Sequence, residues 1–486
     1  MPDLIFDNAK YSSWNETYNF ENCKLNRKAY GKFLIDFITG EKDGFVLNLN
    51  GTWGAGKTEF LKRMYTELIT RNHPCIYIDA WESDFSKDPL TVVTSELLNQ
   101  LKLFNSGING EEANRKLNKF FAKALKGTAI GVAGGLTKLI IGDGTVGASA
   151  MQEWVSEDPD EFIDTITNEY HEQVDAIKKI RENLTTLATV LNTSYGSELP
   201  IVVLVDELDR CRPTYAIEML EVIKHFFKTK HFIFVVATDT EQLSHSIKAV
   251  YGQDFESKSY LKRFFDRKAT LPTPNIESYL TACSVDYSPY NTLKLYPNIY
   301  SGTVGGSINK VISLLAIAYE LQIRDIDQLL SKFHSCLRSA VSSLEITSKA
   351  QYINYPALLI GLIEQEKSEA MYNSRTRHYA PEPTIFNANY KVSDEFSLID
   401  FITQSMKNIT FSEYTYQGNF GDEITKYILP SERDFRLELN NSTTQEYRNF
   451  IIETMNHIQY GNLKGDHKHW DWDDMKKVIE LAGTIE

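Results

Sequence analysis

The chain has 486 residues, more than one hydrophobic core ordinarily organises, so two or three domains are expected. An apolar fraction of 42% with 24% charged residues is that of a folded globular protein and excludes intrinsic disorder as the default. The formal charge of −14 argues against a surface built to grip nucleic acid by counterion release, and five scattered cysteines without a CxxC pair offer neither a disulfide framework nor a zinc site.

The opening MPDLIFDNAKYSSWNE lacks a basic region followed by an apolar one, so a secretory signal is not expected and the cytoplasm is the expected compartment. Residues 24–39 carry apolar groups at helical spacing and lead into a short β-prone run, Gly44 to Asn50, that ends at a glycine-rich turn. Lys57 to Thr70 reads as a helix with Phe60, Leu61, Met64, Leu68 and Ile69 on one side. A strand at Cys75–Asp79 and a helix around Leu90–Leu103 follow, and this alternation predicts a parallel sheet covered by helices.

Residues 107–155 break the rhythm and read as a glycine-rich insertion. Within it, Gly127 to Met151 is the one stretch that resembles a membrane segment, but Lys138 and Asp143 interrupt it. It falls short of the roughly 18 continuous apolar residues a spanning helix needs. From Asp160 onward, Ile163, Ile166, Tyr170, Val174, Ile177, Leu184, Leu187 and Leu191 recur every three or four residues, the signature of a long amphipathic helix. Ile201–Val205, ending in Asp206, and Phe232–Ala237, ending in Thr238, are continuous apolar runs, as central strands buried on both faces require.

Pro272 and Pro274 close the α/β region. A helical block spans Ile308 to Leu344, a loop with Pro381 and Pro383 occupies 372–395, and an acidic remainder contains Trp470 and Trp472. The expected division is a nucleotide-binding core over 1–275, a helical lid or sensor domain over 276–371, and a mixed acidic domain of unassigned role over 372–486.

The chemistry is carried by Gly51-Thr52-Trp53-Gly54-Ala55-Gly56-Lys57-Thr58, which matches GxxxxGK[ST] between a strand and a helix. Glycines let the backbone curl round a phosphate, so that several N–H groups and the positive helix end, from Gly51 to Glu59, face the anion. Lys57 would reach the β- and γ-phosphates and the Thr58 hydroxyl would bind Mg²⁺. The second half of the site is IVVLVDELDRCRP, 201–213. There Asp206 would supply the metal-side carboxylate and Glu207 would polarise the attacking water. Asp209 and Arg210 are expected to form a structural ion pair with each other.

Thr238 and Asp239 end the strand expected between these two elements; they either orient the attacking water, sense the γ-phosphate or simply cap the strand end. KSYLKRFFDRK, 258–268, reads as a basic helix with Tyr260, Leu261, Phe264 and Phe265 buried, and Arg263 is the candidate arginine finger on a neighbouring subunit's nucleotide. A solvated basic face is the plainer alternative. No NKxD element is present, which favours ATP over GTP. His467 and His469 are a weak metal pair, more simply read as exposed histidines.

GTWGAGKTEF with a tryptophan inside the phosphate loop, IDAW (Ile78–Trp81), VLVDELDRCRP, VVATD (235–239) and YLKRFFD (260–266) followed by LP together resemble the KAP family of P-loop NTPases. The likeness covers roughly residues 20–345 and places the chain in the AAA-related, STAND-like lineage. It implies an α/β parallel sheet flanked by helices and followed by helical C-terminal domains, Walker A and Walker B motifs at the glycine loop and DELDRC, and ATP hydrolysis with Mg²⁺. It also implies a sensor arginine in the post-sheet helices, for which Arg324 is the candidate.

Family members commonly carry membrane helices in the slot of residues 127–151, which here are too short and polar to span as a hairpin, so a membrane partner is not expected. Several bacterial members, of the PifA and QatA type, act in antiviral defence. The resemblance therefore implies a homo-oligomeric switch working with separate, operon-encoded effector proteins. A low-turnover ATP-binding scaffold, a membrane-associated signalling organiser and a nucleic-acid motor stay open as rival readings.

Overall fold

The computed structural model describes residues 7–41, 44–85, 89–104, 178, 181–182, 184–193, 196–226, 229–272, 275–298, 303–393, 396–417, 423–428, 450, 452, 454–455 and 467–484. The chain divides into two compact units, Met1–Thr273 and Pro274–Glu486. The glycine-rich insertion, its 127–151 stretch and most of the long helix from Asp160 lie outside the described residues; the helix is seen over 184–193, where Leu184, Leu187 and Leu191 are buried.

In the first unit, α1 (Lys28–Gly40) precedes β1 (Phe45–Asn50), and α2 (Lys57–Thr70) leads to β2 (Cys75–Asp79) and α3 (Pro89–Leu103). After the undescribed segment come β3 (Ile201–Asp206), α4 (Pro213–Phe226), β4 (Phe232–Thr238), α5 (Thr240–Tyr251), α6 (Ser257–Leu261) and β5 (Arg267–Thr270). The five strands form one sheet in the order β2-β3-β4-β1-β5, and every pairing is parallel. Helices joining parallel neighbours cover both faces, which is why β3 and β4 are buried at every position and can be apolar throughout. Each fully buried Val or Ile there contributes on the order of 1.5–3 kcal/mol. This is the α/β class expected from the sequence, with β4 between β1 and β3 as anticipated.

Register decides where chemistry can sit. Asn50 lies beside Thr238 and Asp79 beside Asp206, so the polar residues that terminate four strands line up along the carboxyl edge of the sheet. In open parallel sheets that edge is where ligands bind.

The expected basic helix over 258–268 is shorter than its periodicity suggests. It stops at Leu261, and Arg267 and Lys268 belong to β5, paired with β1. The physical reason is Asp266: its backbone N–H donates to the Val46 carbonyl at 3.0 Å and its carboxylate accepts the Val46 N–H at 2.9 Å, which pulls the chain onto the sheet edge. Leu261 and Phe264 are buried, whereas Tyr260 and Phe265 are partly covered. The charged residues of β5 face solvent, as suits an edge strand.

The second unit holds α7 (Ile276–Cys283), β6 (Lys294–Tyr296), α8 (Val304–Ala318), α9 (Ile323–Thr347), β7 (Ala350–Asn354), α10 (Tyr355–Lys367), α11 (Leu398–Lys407), β8 (His467–His469) and α12 (Trp472–Gly483). Its core is one cluster running from Leu280 to Ala482. α10 is buried on all sides from Tyr355 to Glu364, and α12 settles on it where Gly361 leaves room: a Cβ there would come within 2.6 Å of Ile479 and 3.2 Å of Trp472. The Trp472 indole donates to the Arg375 carbonyl at 3.1 Å, and the Arg375 guanidinium is itself buried against Glu364 at 2.6 Å. β8 lies beside β7 in a parallel sheet, where the His467 and His469 rings sit tilted against Tyr352 at 5.1 and 4.7 Å.

Candidate functional site

The turn between β1 and α2 has the backbone that its glycines permit. Gly54 and Gly56 sit at φ +79° and +80°, a region in which an L side chain is strained. At Gly51 a Cβ would meet Lys57 Cγ at 3.2 Å and Leu271 Cδ1 at 3.3 Å, so the lysine stem packs directly over the loop. The first intrahelical bond of α2 is Phe60 N–H to the Gly56 carbonyl at 3.1 Å, which leaves the earlier amides of Lys57, Thr58 and Glu59 facing out of the helix end. Those donors and the positive end of the helix macrodipole make the turn a seat for an anion.

Several ties fix this loop. The Gly51 N–H donates to the Thr238 carbonyl at 3.1 Å, the Trp53 N–H to Asp239 Oδ2 at 3.1 Å, and the Ala55 N–H to the Thr52 carbonyl at 3.1 Å. Arg27, buried just ahead of α1, donates through Nη1 to the Ala55 carbonyl at 2.6 Å and through Nη2 to the Pro272 carbonyl at 2.7 Å. Glu59 is exposed and leans toward Arg63 one turn on, at 3.8 Å.

Against the loop stands the carboxylate pair. Asp206 is fully buried; it accepts the Tyr77 hydroxyl at 2.8 Å and the Glu207 N–H at 2.9 Å. Glu207 sits in the left-handed region at φ +60° and accepts the Thr58 hydroxyl at 2.8 Å. Burial raises both carboxyls above their ordinary range. The Thr58 hydroxyl counters this at each, Tyr77 counters it further at Asp206, and mutual repulsion adds to the rise at Glu207. Thr58, Asp206 and Glu207, from elements about 150 residues apart in sequence, therefore converge on one locus.

Asp209 and Arg210 are not paired with each other. Asp209 Oδ2 meets Lys57 Nζ at 3.1 Å, and Arg210 Nε binds Glu207 while its guanidinium lies 5.0 Å from the Trp53 ring centroid. Lys57 Nζ also donates to the Gly51 carbonyl at 3.0 Å.

Thr238 is buried and its hydroxyl accepts from Asn48 Nδ2 at 2.8 Å. Asp239 caps α5 by accepting from the Glu241 and Gln242 N–H groups at 3.1 and 3.3 Å, with its second oxygen on Trp53. Arg263 is exposed in the turn after α6. Arg324 lies in the first turn of α9, in the other unit, so it is not among the groups this unit brings together.

The structure adds residues that the sequence reading passed over: Arg27, Tyr77, Asn48 and Asn50. Asn50 Oδ1 accepts the Thr240 N–H at 3.0 Å. Asn48 and Asn50 had a visible signal, two amides inside the otherwise apolar FVLNLN strand. Arg27 and Tyr77 had none, because their partners are distant in sequence.

A hydroxyl and two carboxylates offer hard oxygen ligands, the chemistry Mg²⁺ prefers, and buried carboxyls whose charges repel each other are relieved by a cation. The residues present fit that metal, which Thr58 and Asp206 would hold.

The family model of the KAP family P-loop domain matches residues 27–290. No curated protein matches the chain. Among solved structures, the ORC2 protein of Aeropyrum pernix in ADPNP–ADP complexes is similar at 13% identity, covering 94% of this chain and 99% of that one with a TM-score of 0.29, a likeness too slight to carry an argument. The family match spans more than half of the chain, beginning at the arginine that ties down the loop; the protein belongs to the KAP family of P-loop NTPases.

Proposed function

We propose that the chain binds ATP at residues 51–58 and hydrolyses it to ADP and phosphate, using the energy to switch between two arrangements. The observation that carries this reading is the convergence of Lys57, Thr58, Asp206 and Glu207 at the carboxyl edge of the sheet. Lys57 and the first-turn amides of α2 would hold the β- and γ-phosphates. Thr58 and Asp206 would hold Mg²⁺, which when bound supplies charge neutralisation for the phosphates. Glu207, a carboxylate with a raised proton affinity, takes the proton of the attacking water as its oxygen bonds to the γ-phosphorus and the bridging P–O bond breaks.

Glu207→Gln should lower turnover by roughly 10²-fold or more while leaving ATP binding intact, measured by phosphate release and calorimetry on the same preparation. Wild-type turnover already at the level of the variant would favour the low-turnover scaffold instead.

We further infer that ATP promotes self-association, with the exposed Arg263 completing a neighbour's site. Support for this is the resemblance and the position of Arg263, and sedimentation tests it. ATP-loaded Glu207→Gln should form larger species that Arg263→Ala prevents, and identical sedimentation of the two would remove the finger. The resemblance alone supports a role in antiphage defence alongside separate effectors. Loss of phage resistance on Lys57→Ala, in cells carrying the gene with its neighbours, is the expected result, and unchanged resistance would set that role aside.

A further inference from the structure

The residues after Glu207 form one 3-10 turn, Leu208–Arg210, and both of its charged side chains turn back onto the phosphate loop. The Asp209 and Lys57 side chains are 4% and 10% exposed at their 3.1 Å contact, so this ion pair is largely withdrawn from solvent. Lysine has three donors; here Asp209 takes one and the Gly51 carbonyl another at 3.0 Å. The second oxygen of Asp209 is buried with no hydrogen-bond partner among the described residues, so Lys57 is the group that stabilises its charge.

One residue on, Arg210 holds Glu207 and lies over the half-exposed indole of Trp53, at the tip of the same loop. The Trp53 N–H is likewise engaged, by Asp239. Two donors of the loop, one on Lys57 and the Trp53 N–H, are thus occupied by the protein's own carboxylates, and the proposed base is occupied by the protein's own guanidinium.

We propose that Asp209 and Arg210 are positioning residues that form an internal latch on the nucleotide site: Asp209 holds the place of a phosphate oxygen at Lys57, and Arg210 holds Glu207 against Trp53, until a nucleotide displaces both. This rests on the nucleotide-site reading above and adds to it. A phosphate chain that takes Lys57 leaves the Asp209 carboxylate buried and without its counter-ion, a cost that weakens binding. Removing that charge while keeping the side chain's shape removes the cost. Displacement of Arg210 in turn frees Glu207 to meet water and uncovers Trp53, so binding and activation of the base become one event.

Calorimetry with ADP on the full chain tests the first half. Asp209→Asn should bind on the order of tenfold more tightly than the wild type. In a Lys57→Met background the same change should bring no gain, because Asp209 acts through Lys57. A merely structural aspartate would give equal or weaker binding in Asp209→Asn, and that result overturns the latch. Trp53 emission, isolated by subtracting the spectrum of Trp53→Phe, tests the second half even if Asp209→Asn fails to fold. ADP should shift it in the wild type and not in Arg210→Gln, and an equal shift in both overturns the coupling. If the wild type itself binds no nucleotide, the underlying nucleotide-site reading fails and takes the latch with it, an outcome distinct from binding that Asp209→Asn leaves unimproved.

Discussion

Asp206 is a charge that the fold does not favour. It is fully buried beside Asp79 and Glu207, and its two oxygens rest on a tyrosine hydroxyl and a backbone amide, with the Thr58 hydroxyl beside them. Burial raises its native proton affinity above that of the unfolded chain. The stability linked to its protonated form is therefore fully present below the ordinary carboxylate pKa and is lost as pH rises through the raised native value. Asparagine keeps both contacts, with its oxygen accepting the Glu207 N–H and its amide facing the Tyr77 oxygen, and it carries no charge. In chelator, Asp206→Asn should melt about 2–4 °C above the wild type near neutral pH, a gap that closes toward acid pH. A variant that melts below the wild type throughout would show that the carboxylate stabilises the folded state. The same substitution should abolish turnover if, as proposed, Asp206 holds Mg²⁺.

At the scale of elements, strands and helix starts were legible because burial imposes a pattern. IVVLVD and FIFVVAT are apolar at consecutive positions since both faces of the sheet are covered, and α2 begins at Lys57 because Gly56 permits the left-handed turn before it. The basic stretch misled because Tyr260, Leu261, Phe264 and Phe265 continue a helical period, while the contact that ends the helix, Asp266 with Val46, spans 220 residues. Side-chain ties of that range have no periodicity to announce them.

Arg27 is the clearest case. It joins the segment ahead of α1 to the Ala55 carbonyl of the loop and to the Pro272 carbonyl beyond β5. Arg27→Met should leave both carbonyls without their donor and cost about 2–3 kcal/mol, read by denaturant unfolding, with weaker ADP binding. Unfolding and ADP affinity both matching the wild type would show that the loop needs no such clamp.

Across the whole molecule, the family match, the parallel sheet and the loop geometry agree within the Met1–Thr273 unit. The Pro274–Glu486 unit has its own core, in which α12 closes over Gly361, and it carries Arg324, the proposed sensor. Composition foretold an acidic chain of more than one unit but not how Trp470 and Trp472 would join the elements before them, because their partners lie more than 90 residues upstream. Among the described residues no helix is long and apolar enough to cross a membrane.

In the proposed function, a nucleotide's phosphates occupy the loop ahead of Lys57 and face the carboxylates of β3. A structure of the full-length Glu207→Gln chain with ATP and Mg²⁺ tests it directly. The β- and γ-phosphate oxygens should lie within hydrogen-bond distance of Lys57 Nζ and the first-turn amides of α2, with Asp209 parted from Lys57. Nucleotide bound elsewhere, with residues 51–58 still closed on Asp209, would contradict it.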